Sequence, residues 1–159
     1  MVETLTPERT PARLCELSAD ARAAVLLDAA GSLAGASDDD PARARALGEL
    51  ARELFEAVDK ATRDWEVEPP QQVEVQVPGG AVFASRTPRW TLAVVARRAA
   101  LSSLMLWDLR AVLGELDGAP PIRRARPAGI GRGPATDEQA AVDLPLPELG
   151  GDGGDGEPR

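Results

Sequence analysis

Residues 71 to 96, QQVEVQVPGGAVFASRTPRWTLAVVA, constrain the fold more tightly than any other part of the chain. The first seven residues alternate strictly. Val73, Val75 and Val77 fall on one side, and Gln72, Glu74 and Gln76 on the other. That is the pattern of a strand with one buried and one wet face. Pro78-Gly79-Gly80 supplies a turn, because proline fixes φ and glycine accepts positive φ. AVFASR then returns, Thr87-Pro88-Arg89 turns again, and WTLAVVA follows as a continuously apolar strand. Strands joined this tightly must pair antiparallel. The continuous apolarity of Trp90 to Ala96 predicts a central position in the sheet.

Upstream, ARAAVLLD (residues 21 to 28) reads as a buried strand, and SLAGAS after Gly31 as a second, weaker one. The short link predicts an antiparallel hairpin. Asp28 is suited to organise the turn through its side chain, and Gly31 to take a backbone angle other residues resist. No lysine and serine or threonine follow the glycines as a phosphate loop requires. Asp38-Asp39-Asp40-Pro41 comes next, with Asp40 placed as an N-cap and Pro41 at the first helical position. Three adjacent acids also suggest a magnesium or calcium site, but capping explains the same residues without convergent ligands.

The helix expected from Pro41 to about Trp65 carries Leu47, Leu50, Ala51, Leu54, Val58, Ala61 and Trp65 at helical spacing. Phe55 lies just off this stripe and widens it. The opposite face holds Glu49, Arg52, Glu53, Glu56, Lys60 and Arg63, with Arg52-Glu56 and Glu56-Lys60 at i,i+4. Glu68-Pro69-Pro70 ends the helix. A last helix, about Ala99 to Leu116, has Leu101, Met105, Leu109, Val112, Leu113 and Leu116 on its apolar side. Leu104, Leu106 and Trp107 make it apolar over much of its circumference, and Asp117-Gly118 stops it. Pro7 and Pro11 restrict the first 20 residues to a short helix, with Leu14 and Leu17 inward, or none. Residues 117 to 159 read as a disordered Gly/Pro-rich tail. Within it, Arg123, Arg124, Arg126 and Arg132 are candidates to bind an anionic surface, though so few charges without aromatics support little specificity, and GGDGGDG is too short for a stacked calcium-binding repeat.

Composition narrows the chemistry. The 159 residues include no histidine and a single cysteine, Cys15. Histidine-assisted nucleophilic catalysis and an internal disulfide framework are therefore excluded for this chain alone. A formal charge of −8 and 3% aromatic residues argue against nucleic-acid binding. The most apolar stretch, Thr91 to Leu109, is broken by Arg97, Arg98 and Asp108, so no membrane span is expected. The start, MVETLTPERT, shows no secretion signal, and a soluble cytoplasmic protein is the expectation. Paired carboxylates, such as Asp28 with one of Asp38 to Asp40, are the sole acid-base candidates, and no other residue supports an enzyme.

The order of elements predicts an α/β (α+β) domain over residues 21 to 116. It is a single five-stranded, mainly antiparallel sheet with helices on both faces, in the order (α)ββαβββα. In that order AAVLLDAAGSLAGAS, PARARALGELARELFEAV, VEVQVPGGAVFAS and WTLAVVARRAALSSLMLWDLRAVL follow one another. Together they resemble the roadblock (dynein light chain) family over about residues 12 to 116. The short, proline-interrupted start departs from that family's usual first helix.

The resemblance implies a homodimer, or a heterodimer with a related subunit, joined through the third strand with the long helices side by side. Here that places Val73, Val75, Val77, Leu54, Phe55 and Val58 at the interface. It further implies, for bacterial members, regulation of a small Ras-like GTPase without a cofactor or catalytic residues. Glu49, Arg52, Glu53, Glu56 and Lys60 then form the candidate partner surface. Arg86, Arg89, Arg97 and Arg98 are candidate arginine fingers, since arginine can stabilise transferred phosphoryl charge. A passive scaffold or localisation subunit with no effect on GTP turnover is the alternative.

Overall fold

The computed structural model of the protein describes residues 4–121. Residues 122–159 lie outside the described residues; they include most of the expected tail, its four arginines and GGDGGDG.

The elements run α1 (Thr10–Leu17), β1 (Ala21–Asp28), β2 (Leu33–Ala36), α2 (Pro41–Asp64), β3 (Gln72–Val77), β4 (Gly80–Arg86), β5 (Trp90–Arg97) and α3 (Ser102–Leu116). The five strands form one sheet in the order β2-β1-β5-β4-β3. Every neighbouring pair is antiparallel. The last strand in sequence thus sits at the centre, as its unbroken apolarity predicts.

A strand that is apolar on both faces needs a layer on each side. Leu26, Phe83, Leu92 and Val94 point to one face and pack with Leu14 of α1 and Met105, Leu109, Val112 and Leu113 of α3. Val25, Leu27, Val82, Ala84 and Ala93 point to the other, against Ala44, Leu47, Ala51 and Phe55 of α2. Full burial of each leucine, valine or phenylalanine contributes about 1.5–3 kcal/mol, so these two layers are the main source of stability.

α1 is present, though only eight residues long. Leu14 is fully buried and Leu17 half-buried. Its second tether is electrostatic: Arg13 Nε and Nη2 donate to Glu115 Oε2 and Oε1 of α3 at 3.1 and 3.2 Å. The Glu115 carboxylate is almost wholly buried, and its hydrogen bonds push the Arg13 guanidinium above its ordinary pKa.

α2 begins as expected. Asp40 Oδ1 accepts the backbone N–H of Ala42 at 2.9 Å and of Arg43 at 3.4 Å. Asp38 Oδ1 accepts the N–H of Asp40 at 2.9 Å, and both acids lie near the Arg43 guanidinium. Capping and one ion-pair cluster therefore occupy Asp38 and Asp40. α3 starts three residues later than expected. Arg97 to Ala100 form a turn first, closed by Ala100 N–H donating to the Arg97 carbonyl at 3.0 Å. α3 ends at Asp117, with Gly118 at φ +96° in the left-handed conformation.

The Asp28-Gly31 link is a hairpin tip. Asp28 Oδ1 accepts the N–H of Ala30 and of Ser32, both at 2.9 Å, and Gly31 has φ +82°. The carboxylate is thereby committed to the turn. Gly35 on β2 has a different role. A Cβ there would lie 2.6 Å from the backbone carbonyl oxygen of Pro7, so only glycine lets the N-terminal segment rest on β2. Replacing Gly35 with alanine is expected to destabilise the fold by about 1–3 kcal/mol, because backbone must move to admit the methyl group. Urea denaturation of the G35A variant measures this, and unchanged stability would mean that the N-terminal segment does not hold that position.

Candidate interaction surface

α2 crosses β1, β5 and β2 and packs on Val82 and Ala84 of β4, which leaves β3, at the sheet edge, only partly covered on that face. Register then lines up an apolar row. Ala23 of β1 pairs with Val95 of β5, Val95 with Val82 of β4, and Val82 with Val75 of β3. Val82 is buried, but Val95 and Val75 are only half-buried. Val73 is half-buried too, and Val77 is 43% exposed. At the β1–β5 end this row opens into a cleft of about 430 Å³ lined by Val25, Ala44, Ala46, Leu47, Leu50 and Val95. Arg22, Asp38 and Arg43 add polar groups to its lining. The result is an apolar trough, walled by α2 and ending at the unpaired edge of β3.

The expected stripe on α2 is turned from the observed one. The buried residues are Ala44, Leu47, Gly48, Ala51 and Phe55. Leu54 and Val58 are half-buried, whereas Leu50, Ala61 and Trp65 are exposed. Ala44, Gly48 and Ala51 face the sheet together with Leu47 and Phe55, while Leu50, Leu54 and Val58 stand at the flank. Of the residues assigned to a dimer interface, Phe55 is therefore corrected: at 5% exposure it belongs to the protein's own core. Val73, Val75, Val77, Leu54 and Val58 retain accessible apolar surface.

The charged positions Glu49, Arg52, Glu53, Glu56 and Lys60 are all exposed on α2. Arg52 Nη1 donates to Glu56 Oε1 at 2.9 Å. The second expected pair does not form: Glu56 is engaged by Arg52, and no ion pair joins it to Lys60.

Sequence reading missed one assembly. Arg86, at the end of β4, donates from Nη1 to Asp59 Oδ2 at 2.8 Å and from Nη2 to Asp59 Oδ1 at 2.5 Å. Its guanidinium lies 4.4 Å from the centre of the Phe55 ring, within cation–π range. This planar fork pins the C-terminal half of α2 to the sheet beside a polar cleft of about 310 Å³ near the hairpin tip. Arg86 is thus committed to structure rather than free to act as a finger. Arg89 lies 3.7 Å from Asp117 and near the Trp90 ring. Arg97 and Arg98 are exposed. No local pattern connects Asp59 and Arg86. The only hint was an aromatic just off the assumed stripe.

Among the described residues no three histidine, cysteine or acidic side chains converge on a metal-sized site, and no helix is long and apolar enough to cross a membrane. A five-stranded antiparallel sheet with helices in the order αββαβββα is a roadblock-like α+β fold, as comparison with solved structures shows. The roadblock/LC7 domain from Streptomyces avermitilis superposes with a TM-score of 0.62 at 21% identity, covering 69% of this chain and 93% of that one. Myxococcus xanthus MglB gives 0.55 at 13% identity, covering 69% and 80%. Schizosaccharomyces pombe profilin gives 0.50 at 12% identity, covering 71% and 98%. No family model matches the sequence, and no curated protein matches it at the sequence level. At these identities the likeness is one of fold, and function has to be argued from surfaces.

The Arg86 hydrogen bonds hold the Asp59 carboxyl below its ordinary pKa. A depressed carboxylate contributes stability above the unfolded value of about 3.9 and loses it as pH falls through the lower folded value. The stability gap between the native protein and its D59N variant is therefore expected to stay constant above about pH 5 and to close in stronger acid. Urea midpoints across that range test the pair, and a gap independent of pH would show that the fork contributes nothing through charge.

Proposed function

We propose that the protein is a non-catalytic cytoplasmic subunit that dimerises through β3 and the flank of α2. As a dimer it binds a small Ras-like GTPase and modulates its nucleotide cycle. The apolar trough ending at the unpaired β3 edge carries this reading. An edge strand exposes a row of unpaired amides and carbonyls, which is a ready template for another strand. A second copy, or a related subunit, joined there would continue the sheet and cover Val73, Val75, Val77, Leu54 and Val58. The fold shared with MglB and the sequence resemblance to bacterial GTPase regulators support the choice of partner. Within such an assembly the exposed charges Glu49, Arg52, Glu53, Glu56 and Lys60 are the partner-facing positions. In this reading the effect on hydrolysis arises from reshaping the GTPase rather than from a cofactor.

Two measurements test the proposal. Val75→Asp places a charge on the apolar row at the seam and is expected to convert a dimer to a monomer with little loss of fold. Light scattering with circular dichroism reports both, and a dimer unaffected by the change would rule out strand pairing. Single-turnover GTP hydrolysis and nucleotide release by a purified Ras-like GTPase that binds the protein are expected to change by at least tenfold on its addition. Binding with unchanged turnover would instead identify a passive scaffold.

A further inference from the structure

The link from α2 to β3 holds a tryptophan in water. α2 stops in a hydrogen-bonded turn: Val67 N–H donates to the Thr62 carbonyl at 2.9 Å, and Glu66 N–H to the Arg63 carbonyl at 3.2 Å. Such a stop puts one residue in the left-handed conformation, where glycine is usual. Here Glu66 takes it, at φ +54°, the only non-glycine residue to do so among the described residues. Trp65 before it is 81% exposed and Val67 after it 58%. Asp64, Glu66 and Glu68 are exposed too, and residues 64 to 70 contain no base. None of the three acids has an ion pair among the described residues. Lys60 and Arg63 precede them on α2, and Arg86 at this end of the sheet is taken by Asp59.

The far end of β3 carries the complement. β3 runs from Gln72, beside Ser85, to Val77, beside Gly80, and Gly80 lies beside Arg97 of β5. The exposed Val77 and Pro78 therefore share this end with Arg97 and Arg98, both exposed and without an ion pair among the described residues. Arg97 follows Ala93 and Val95 in the alternation of β5 and so falls on the α2 face. Glu74, the acid of β3, is engaged by Ser102 of α3 and by Gln76 on the other face. Asp20, whose carbonyl accepts the Arg97 N–H, and Arg22 of β1 are the neighbouring charges, so the balance here is positive. The two ends are about 17 Å apart along β3, too far to meet within one copy.

We propose that each copy's α2–β3 link clasps the β3–β4 turn of a second copy of this chain, with Trp65 and Val67 laid against Val77 and Pro78 and the link's carboxylates facing Arg97 and Arg98. This rests on the β3 pairing proposed above and adds to it an anchor and a choice of partner. Two-fold pairing of β3 with itself is antiparallel and keeps both α2 helices on one face. It sets the entry of one strand beside the exit of the other, whichever residue lies on the axis. The entry is apolar and acidic, the exit apolar and basic, so the two ends complement each other twice across the axis. A second copy supplies both ends by identity. An exposed tryptophan held by a closed turn is already ordered for binding, and such residues carry a large share of interface energy. The facing charges orient the encounter.

Sedimentation velocity of the full-length chain over a dilution series tests the clasp. Trp65→Ser is expected to weaken the dimer about 30-fold or more. Trp65 is exposed in the single copy, so melting at a dilution where both proteins are monomeric is expected to be unchanged. Arg97→Glu with Arg98→Glu should weaken the dimer most at low salt. Adding Glu66→Lys and Glu68→Lys to the same chain should restore it, which a purely structural role of these residues would not produce. In a Cys15→Ser background, copies carrying Val67→Cys and copies carrying Pro78→Cys should be joined by a short bis-maleimide when mixed, and neither kind alone should be. A dimer that Val75→Asp disrupts, but that Trp65→Ser and the charge reversals leave unchanged, would overturn the clasp and leave the strand pairing standing. A chain that is monomeric at every concentration, or a dimer sensitive to Trp65→Ser and indifferent to Val75→Asp, would overturn both.

Discussion

The double-sided burial of β5 is the constraint on which the molecule depends. Leu92, Ala93, Val94 and Ala96 are fully enclosed, and the strand is hydrogen-bonded to β1 on one side and β4 on the other. A strand with no wet face forces a layer of helix above and below. It also separates the duties of the helices. α1 and α3 share one face and lock together through a buried carboxylate and a guanidinium. α2 stands alone on the other face and cannot cover all of it. The trough is what remains when one helix spans a sheet that is wider than itself.

Small residues decide how that single helix sits. Ala44, Gly48 and Ala51 bring α2 down onto β1 and β5, and Arg86 fixes its far end through Asp59 and Phe55. Larger residues facing the sheet would have lifted the helix and closed less of the core. As it is, Leu50, Leu54 and Val58 remain at the flank, beside the valines of β3 and β5. The accessible apolar surface is thus displaced to one side of the helix. That asymmetry separates a surface suited to another chain from an ordinary solvated helix face.

Much of this architecture was legible in the sequence, for physical reasons. β1 matched its expected limits because its ends carry clear signals, Asp28 at the turn and charged or polar residues before Ala21. β3 to β5 were visible because Pro78-Gly79-Gly80 and Thr87-Pro88-Arg89 admit only tight reversals. The cap at Asp40 and the stop at Gly118 are local chemistry and behaved as such. Leu47 and Ala51 lie on the buried side of α2 as expected, but the rest of that side was misjudged, because periodicity weighs large aliphatic residues such as Leu50, whereas close packing on the sheet also selected Ala44 and Gly48. That error carried Phe55 to the wrong surface. The Asp59–Arg86 fork joins residues 27 positions apart, and nothing local encodes such a meeting. The exposed Leu101, Leu104 and Trp107 of α3 were visible as surplus apolarity, but their exposure depends on where α1 ends in space.

The two ends of the sheet differ in a way that governs how copies can add to one another. β2 is four residues long, and its pairing with β1 is broken by an irregularity between Leu26 and Leu27. β3 has six residues in unbroken register with β4. Short, irregular edges resist pairing, and long regular ones invite it. Were both edges receptive, one copy's β3 could add to the next copy's β2, and the sheet would run on head to tail as a fibre. With a single receptive edge, two copies can meet only like against like, and growth stops at the first encounter.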